Sequence, residues 1–291
     1  MAFLEPVLKV GASASALTVG ALYFLQRSLL FPAPRVAEPV STYGGRHARH
    51  VTQIGAAWFP PKTKESTVIV YFHGNADQIG WSGAFLGKHF HAKGLGFLAV
   101  EFPGYGFAEG DPTEASIFRA ADDALRYAKT ELEVDASRLV LLGQSLGCAP
   151  ALHVATVSHR DVPKLALLAP FESVSAMAAT LLPFVPEALL RPLVKDKFDN
   201  RRATADLPST TSTLVLHGTQ DDIVPFTHGA NLADRLNAVP RDPHSSPKIP
   251  RSFVPIEGAG HNDLFSPPFD ALVLDALLAF ALQQGDDDEP H

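Results

Sequence analysis

Six short, predominantly apolar runs recur between residues 67 and 256, and they limit the possible folds more than any other feature of the chain. They are Thr67–Phe72, Gly96–Phe102, Leu139–Leu142, Leu165–Leu168, Thr213–Leu216 and Phe253–Ile256. None alternates apolar with polar residues, which is the pattern of strands buried on both faces of a parallel sheet. A weaker pair of strands is expected ahead of them, one member near residues 54–58. Helical stretches separate the runs. The clearest opens at Asp111-Pro112-Thr113-Glu114, where Asp111 is expected to cap, Pro112 to take the first helical position and Glu114 to close a capping box. Behind it Ile117, Ala120, Ala121, Ala124, Leu125 and Ala128 recur at helical spacing and would pack on a sheet. Strands alternating with helices predict an α/β fold with a mostly parallel central sheet flanked by helices.

Composition narrows the function classes. The chain has 291 residues and one cysteine, Cys148, so neither a disulfide framework nor a Cys-rich zinc module can form within it. Its formal charge is −7, with no basic stripe to neutralise a phosphate backbone, which argues against nucleic-acid binding. Hydrophobic residues make up 46% of the chain, too many for a wholly disordered protein. Residues 285–291 form an acidic tail to which no function is assigned.

Near the amino terminus, Val10 to Leu25 is an uncharged run of small and apolar residues. It is slightly shorter than a full membrane span, but Leu29, Leu30 and Phe31 would extend it if Arg27 snorkels to the interface. Pro32 and Pro34 stop the helix. The favoured reading is a membrane anchor over residues 1–31, with the charge balance leaning to a cytoplasmic catalytic domain. A cleaved signal peptide and a soluble helix packed on the domain are the alternatives. Residues 171–212 stand apart as well. They are helical and apolar, interrupted by Pro183, Pro186 and Pro192, and too long for a simple crossover. A small lid over the carboxyl edge of the sheet is expected there, against the alternative of an irregular crossover helix pair.

The chemistry centres on Gly143-Gln144-Ser145-Leu146-Gly147. An apolar strand leads into it and an Ala/Leu-rich helix follows, which is the setting of a nucleophile elbow. The glycines free the backbone for a sharp turn that holds Ser145 clear of the sheet at a helix amino end. A serine hydroxyl needs a base to take its proton. Of twelve histidines, His261 in Gly258-Ala259-Gly260-His261-Asn262-Asp263 follows the last strand and completes the order Ser…Asp…His. His89, His91, His47 and His50 read as surface residues, and His217 as structural. The acid that orients the base is expected at Asp221, with Asp222 as its rival and Glu172 as a third candidate. After Thr67–Phe72 comes His73-Gly74-Asn75, read as an oxyanion loop in which the Asn75 N–H joins that of Leu146, although alone it would read as a turn. Pro103-Gly104-Tyr105-Gly106 is expected to line the site without a chemical role, and Cys148 to be a packing residue.

Taken in order, VIVYFHGNA, FLAVEFPGYGFAEGDPTE, RLVLLGQSLG, LVLHGTQDDIVP and GAGHND resemble the α/β-hydrolase superfamily. They are most similar to membrane-anchored α/β-hydrolase-domain proteins of the bud-emergence (Bem) type and their animal relatives. VKDKFDN is similar to that group's lid region. The resemblance implies an α/β-hydrolase fold over residues 40–284 with a small helical lid, serine-hydrolase activity through Ser145, Asp221 and His261, and no cofactor or metal. Some relatives deacylate cysteines in proteins but carry an amino-terminal cysteine cluster, which this chain lacks. The stretch Arg241 to Pro247 looks like an insertion. The expected activity is hydrolysis of an ester or thioester of a small or acyl, lipid-like substrate. A membrane-associated scaffold without turnover is the alternative, and the oligomeric state is not legible.

Overall fold

Each apolar run becomes a strand of one eight-stranded sheet. The computed structural model describes residues 23–34, 49–51, 55–240 and 251–283. The strands are β1 (Arg49–Val51), β2 (Ala56–Phe59), β3 (Val68–Phe72), β4 (Gly96–Val100), β5 (Leu139–Gln144), β6 (Lys164–Leu168), β7 (Ser212–Gly218) and β8 (Arg251–Ile256). Their spatial order is β1-β2-β4-β3-β5-β6-β7-β8. β1 pairs antiparallel with β2, and β2 antiparallel with β4; the remaining pairings, from β4 through β8, are parallel.

The residues along each central run divide between two cores. Val68, Val70 and Phe72 face one layer while Ile69 and Tyr71 face the other, and β4 and β5 divide the same way. With apolar layers on both faces, neither set of side chains can be polar, hence the unbroken runs. α3 (Glu114–Thr130) and α4 (Cys148–His153) cover the first layer. α2 (Ala84–Ala92) and α9 (Asp270–Leu282) cover the second. β8 departs from the expectation of burial on both faces: Phe253 and Val254 are half-buried and Pro255 is exposed, because this strand closes the sheet at its other edge. An edge position also tolerates the missing Pro255 N–H.

The start of α3 corrects another expectation. Thr113, not Asp111, is the cap: its backbone is extended and its side chain accepts from Ser116 N–H at 3.0 Å. Ser116 returns the contact to Thr113 N–H at 2.9 Å, so the box closes with Ser116 instead of Glu114. Pro112 therefore precedes the helix. Glu114, freed from the box, accepts instead from Lys197 N–H at 2.7 Å.

Between β6 and β7 lie α5 (Val174–Leu181), α6 (Glu187–Leu190) and α7 (Asn200–Ala205). Pro183 and Pro186 separate the first two of these helices, as a missing N–H and a restricted preceding residue require. Glu187, 29% exposed, pairs with Arg201 and accepts from Ser175 at 2.7 Å, tying α6 to α7 and α5. α8 (Phe226–Ala238) completes the set between β7 and β8.

Residues 23–30 form α1, and residues 31–34 run on across the domain. Most of Val10–Leu25 lies outside the described residues, as do His47, the Arg241–Pro247 stretch and the acidic tail. Among the described residues no helix is long and apolar enough to cross a membrane. Arg27 does not snorkel: its Nε lies 2.7 Å from the buried carboxylate of Asp196. Phe31 is buried, with its ring 6.1 Å from that of Phe198. The boundary expected at residue 31 thus falls inside a segment packed on the domain, because an ion pair and a buried aromatic ring hold it there.

Candidate active site

β5 ends at Gln144, a single 3-10 turn carries Ser145–Gly147, and α4 follows at once. Ser145 has φ +50°, a left-handed conformation that a residue with a side chain adopts only under constraint from its surroundings. The surroundings are specific. A Cβ on Gly147 would collide with the Phe72 carbonyl of β3, and one on Gly143 would meet the Cys148 backbone. Both glycines are there for close approach, and they leave Ser145 standing at the carboxyl edge of the sheet. Gln144 is held in turn by the Tyr71 hydroxyl, which donates to its Oε1 at 2.6 Å.

The loops after β7 and β8 bring the other groups to this point. Ser145 Oγ and His261 Nε2 are 3.0 Å apart, and His261 Nδ1 is 2.7 Å from Asp221 Oδ2. Asp221 Oδ1 accepts from Ile223 N–H at 3.0 Å and Val224 N–H at 2.7 Å, so the turn after β7 fixes the carboxylate. Burial disfavours its charged form. Hydrogen bonds from His217 and His261, the His261 charge and the Val224 N–H outweigh that, holding the carboxyl well below the ordinary range. The rival acids lie elsewhere: Asp222 is exposed, and Glu172 lies 3.6 Å from His228 Nδ1 and 3.2 Å from Asn231 Nδ2.

Asn75 stands on the loop after β3. The neighbouring Gly74 packs so closely that its Cβ would lie 3.6 Å from Ser145 Cβ. The Asn75 side chain is clamped from three sides. Its Oδ1 accepts from the Tyr105 hydroxyl at 2.6 Å and from Ala76 N–H at 3.0 Å, while its Nδ2 donates to Leu30 carbonyl at 2.6 Å. Beneath the loop, His73 Nε2 lies 2.8 Å from Glu101 Oε1, both fully buried. Burial pulls the His73 pKa down, but the Glu101 charge and hydrogen bond prevail and it stands above its ordinary value. Leu146, the first residue beyond Ser145, is buried beside Cys148.

Several groups here are absent from the sequence-based expectation. His217 is part of the site, not merely structural: its Nε2 lies 3.2 Å from Asp221 Oδ2 and 2.9 Å from Val224 carbonyl. Tyr105, expected only to line this region, donates to Asn75, and Leu30 reaches Asn75 from the amino-terminal segment. His217 stands at the carboxyl end of β7 and Tyr105 follows β4, and that position was the available signal. Leu30 had none. His89 and His91 are half-buried, and His91 Nδ1 lies 2.9 Å from Pro60 carbonyl. Cys148 is fully buried, donating to Gly143 carbonyl at 3.2 Å and to Leu168 carbonyl at 3.3 Å, and burial pushes its thiol pKa up. A thiol held protonated and covered is a poor nucleophile.

Comparison with known proteins finds similarity to hydrolases of this fold. Residues 63–207 match the Hydrolase_4 family, described as serine aminopeptidase, S33. The uncharacterized protein Rv2307c of Mycobacterium tuberculosis is 29% identical over 268 residues, covering 89% of this chain and 88% of that protein. The α/β hydrolase domain-containing protein aho-3 of Caenorhabditis elegans is 27% identical over 219 residues, covering 74% of this chain and 58% of that protein. Among solved structures, a monoacylglycerol lipase from Paleococcus ferrophilus superposes with a TM-score of 0.57 at 20% identity, covering 78% of this chain and 97% of that one.

Proposed function

We propose that this chain, an α/β-hydrolase by fold, is a serine hydrolase that cleaves an ester or thioester of an acyl, lipid-like substrate through Ser145, His261 and Asp221. The observation that carries the reading is the unbroken chain Ser145 Oγ–His261 Nε2 at 3.0 Å and His261 Nδ1–Asp221 Oδ2 at 2.7 Å, with Ser145 at a left-handed turn. Within this reading His261 Nε2 takes the Ser145 proton as Oγ attacks the acyl carbon. Asp221 holds the ring in the tautomer that presents Nε2 as acceptor and stabilises the imidazolium. The Asn75 and Leu146 N–H groups hold the oxyanion, each such donor being worth about 3–4 kcal/mol. His261 then protonates the departing alcohol or thiol, and water, deprotonated by the same ring, releases the acid and restores Ser145.

The apolar helices between β6 and β7 serve as the lid and supply an acyl-compatible surface. Residues upstream of α1 anchor the protein at a membrane, in the manner of the bud-emergence type. A scaffold without turnover would gain nothing from a serine held in a strained turn beside a paired histidine. The test is labelling of the folded chain with a fluorophosphonate probe. Wild type reacts, Ser145→Ala does not, and His261→Ala reacts about 10³-fold more slowly or less. A folded wild-type chain that resists the probe would end the proposal. A panel of acyl esters, thioesters and aminoacyl anilides then separates ester, thioester and amide specificity.

A further inference from the structure

The proposed chemistry leaves unused a set of exposed apolar side chains on α1 and on the turn joining α5 to α6. Phe184 is 97% exposed, Leu181 78% and Phe24 78%, with Leu29 and Leu189 exposed beside them in their elements. Single exposed apolar residues need no explanation, but several of them within two short stretches mark a place of association. α1 is tied to the chain just beyond α6. Gln26 Nε2 donates to Leu193 carbonyl at 3.2 Å, and Gln26 Oε1 accepts from Lys195 N–H at 2.8 Å.

Three observations identify what covers this surface. First, the uncharged run Val10–Leu25 leads directly into α1, so the chain arrives at this face from its most membrane-compatible segment. Second, Lys195 Nζ stands 4.3 Å from the ring centre of Tyr23 and 5.6 Å from that of Phe24. A lysine among aromatic rings at the margin of an apolar patch suits the membrane–water boundary, where rings lie at headgroup depth and the ammonium reaches out. Third, two acids of this region are already engaged: Glu187 by Arg201 and Ser175, and Asp196 by Arg27. A carboxylate left on the face would oppose insertion.

We infer that α1 and the α5–α6 turn form one bilayer-docking face, whose apolar side chains enter the acyl boundary of a single leaflet. The inference deepens the proposed membrane-bound hydrolase reading and rests on it for the nature of the substrate. Docked this way, the lid lies on the lipid and an acyl substrate passes from the leaflet to Ser145 without crossing water.

The test uses the full chain and an environment-sensitive nitrobenzoxadiazole label on an introduced cysteine. The native Cys148 is buried and does not compete. Labels at Phe184→Cys on the lid turn and Leu29→Cys on α1 should each brighten about threefold with phosphatidylcholine–phosphatidylserine vesicles, as expected on leaving water for the acyl boundary. A label at Val157→Cys, also exposed but outside this face, should not change. A silent Phe184 label beside a responsive Leu29 label overturns the inference, as does silence at both or an equal response at all three. Fluorophosphonate labelling of the same samples keeps the two readings distinct: it persists if only docking fails and is lost if the hydrolase reading fails.

Discussion

Asp221 accepts hydrogen bonds on both carboxylate oxygens, from two backbone N–H groups on one and from the His217 and His261 rings on the other. Its neighbour Asp222 points to solvent. One position along the turn separates a carboxylate that can orient a base from one that cannot, and sequence alone could only rank the two. Replacing Asp221 with Asn keeps the shape but favours the wrong imidazole tautomer. Turnover of an ester substrate should fall about 10³–10⁴-fold, while Asp222→Asn stays within about threefold of wild type. Comparable losses from both substitutions would mean that the acid role is not Asp221's. The serine turn was more legible because its constraint is local. Two glycines around one serine, between a strand and a helix, report a turn whose strain needs no distant partner.

At the scale of elements, the apolar runs announced their strands because burial on two faces leaves a mark at every position. β8 kept less of that mark, having one neighbour strand and an exposed Pro255. The start of α3 shows another limit: Asp111 and Thr113 both suit a cap, and only the backbone path, extended at Thr113, selects between them. The helices between β6 and β7 depend on Glu187, whose hydrogen bonds with Arg201, opposed by partial burial and aided by Ser175, lower its pKa to about 2. A carboxyl whose pKa is depressed on folding stabilises the folded state fully above its unfolded value, and that contribution disappears as pH falls through the folded value. Wild type should therefore unfold at a higher temperature than Glu187→Gln near neutral pH, by about 1 kcal/mol once solvent screening is allowed for. The gap should shrink as pH falls from about 4.5 towards about 2. Thermal melts of both proteins across that range decide it, and a gap independent of pH would show that the pairing does not act through ionisation.

Across the whole molecule, the segment after α1 joins parts far apart in sequence. Arg27 reaches Asp196, Leu30 reaches Asn75, Phe31 packs on Phe198 and Pro34 carbonyl accepts from Gly106 N–H at 2.8 Å. Residues 27–34 are thus part of the folded body, and the segment between β6 and β7 and the loop after β3 lean on the same stretch of chain. Phe31→Ala should destabilise the fold by about 3–5 kcal/mol, as expected for emptying a buried aromatic site. Denaturant unfolding measures this, and a loss below about 1 kcal/mol would show that the segment is only loosely seated. A deletion ending at residue 22 should keep the fold, whereas one ending at residue 34 should not.

The sequence by itself determined the α/β class, the parallel sheet, the serine turn and the histidine that follows the last strand. Each is written in neighbouring residues: apolar continuity, paired glycines, order along the chain. Tertiary structure alone decided which carboxylate meets His261, that His217 stands behind it, and that Tyr105 and Leu30 grip Asn75. Those contacts join residues 30 to 45 positions apart or, at His217, turn on the direction of a single side chain. No local pattern records them, because the forces that select them act only after the sheet has brought its loops together.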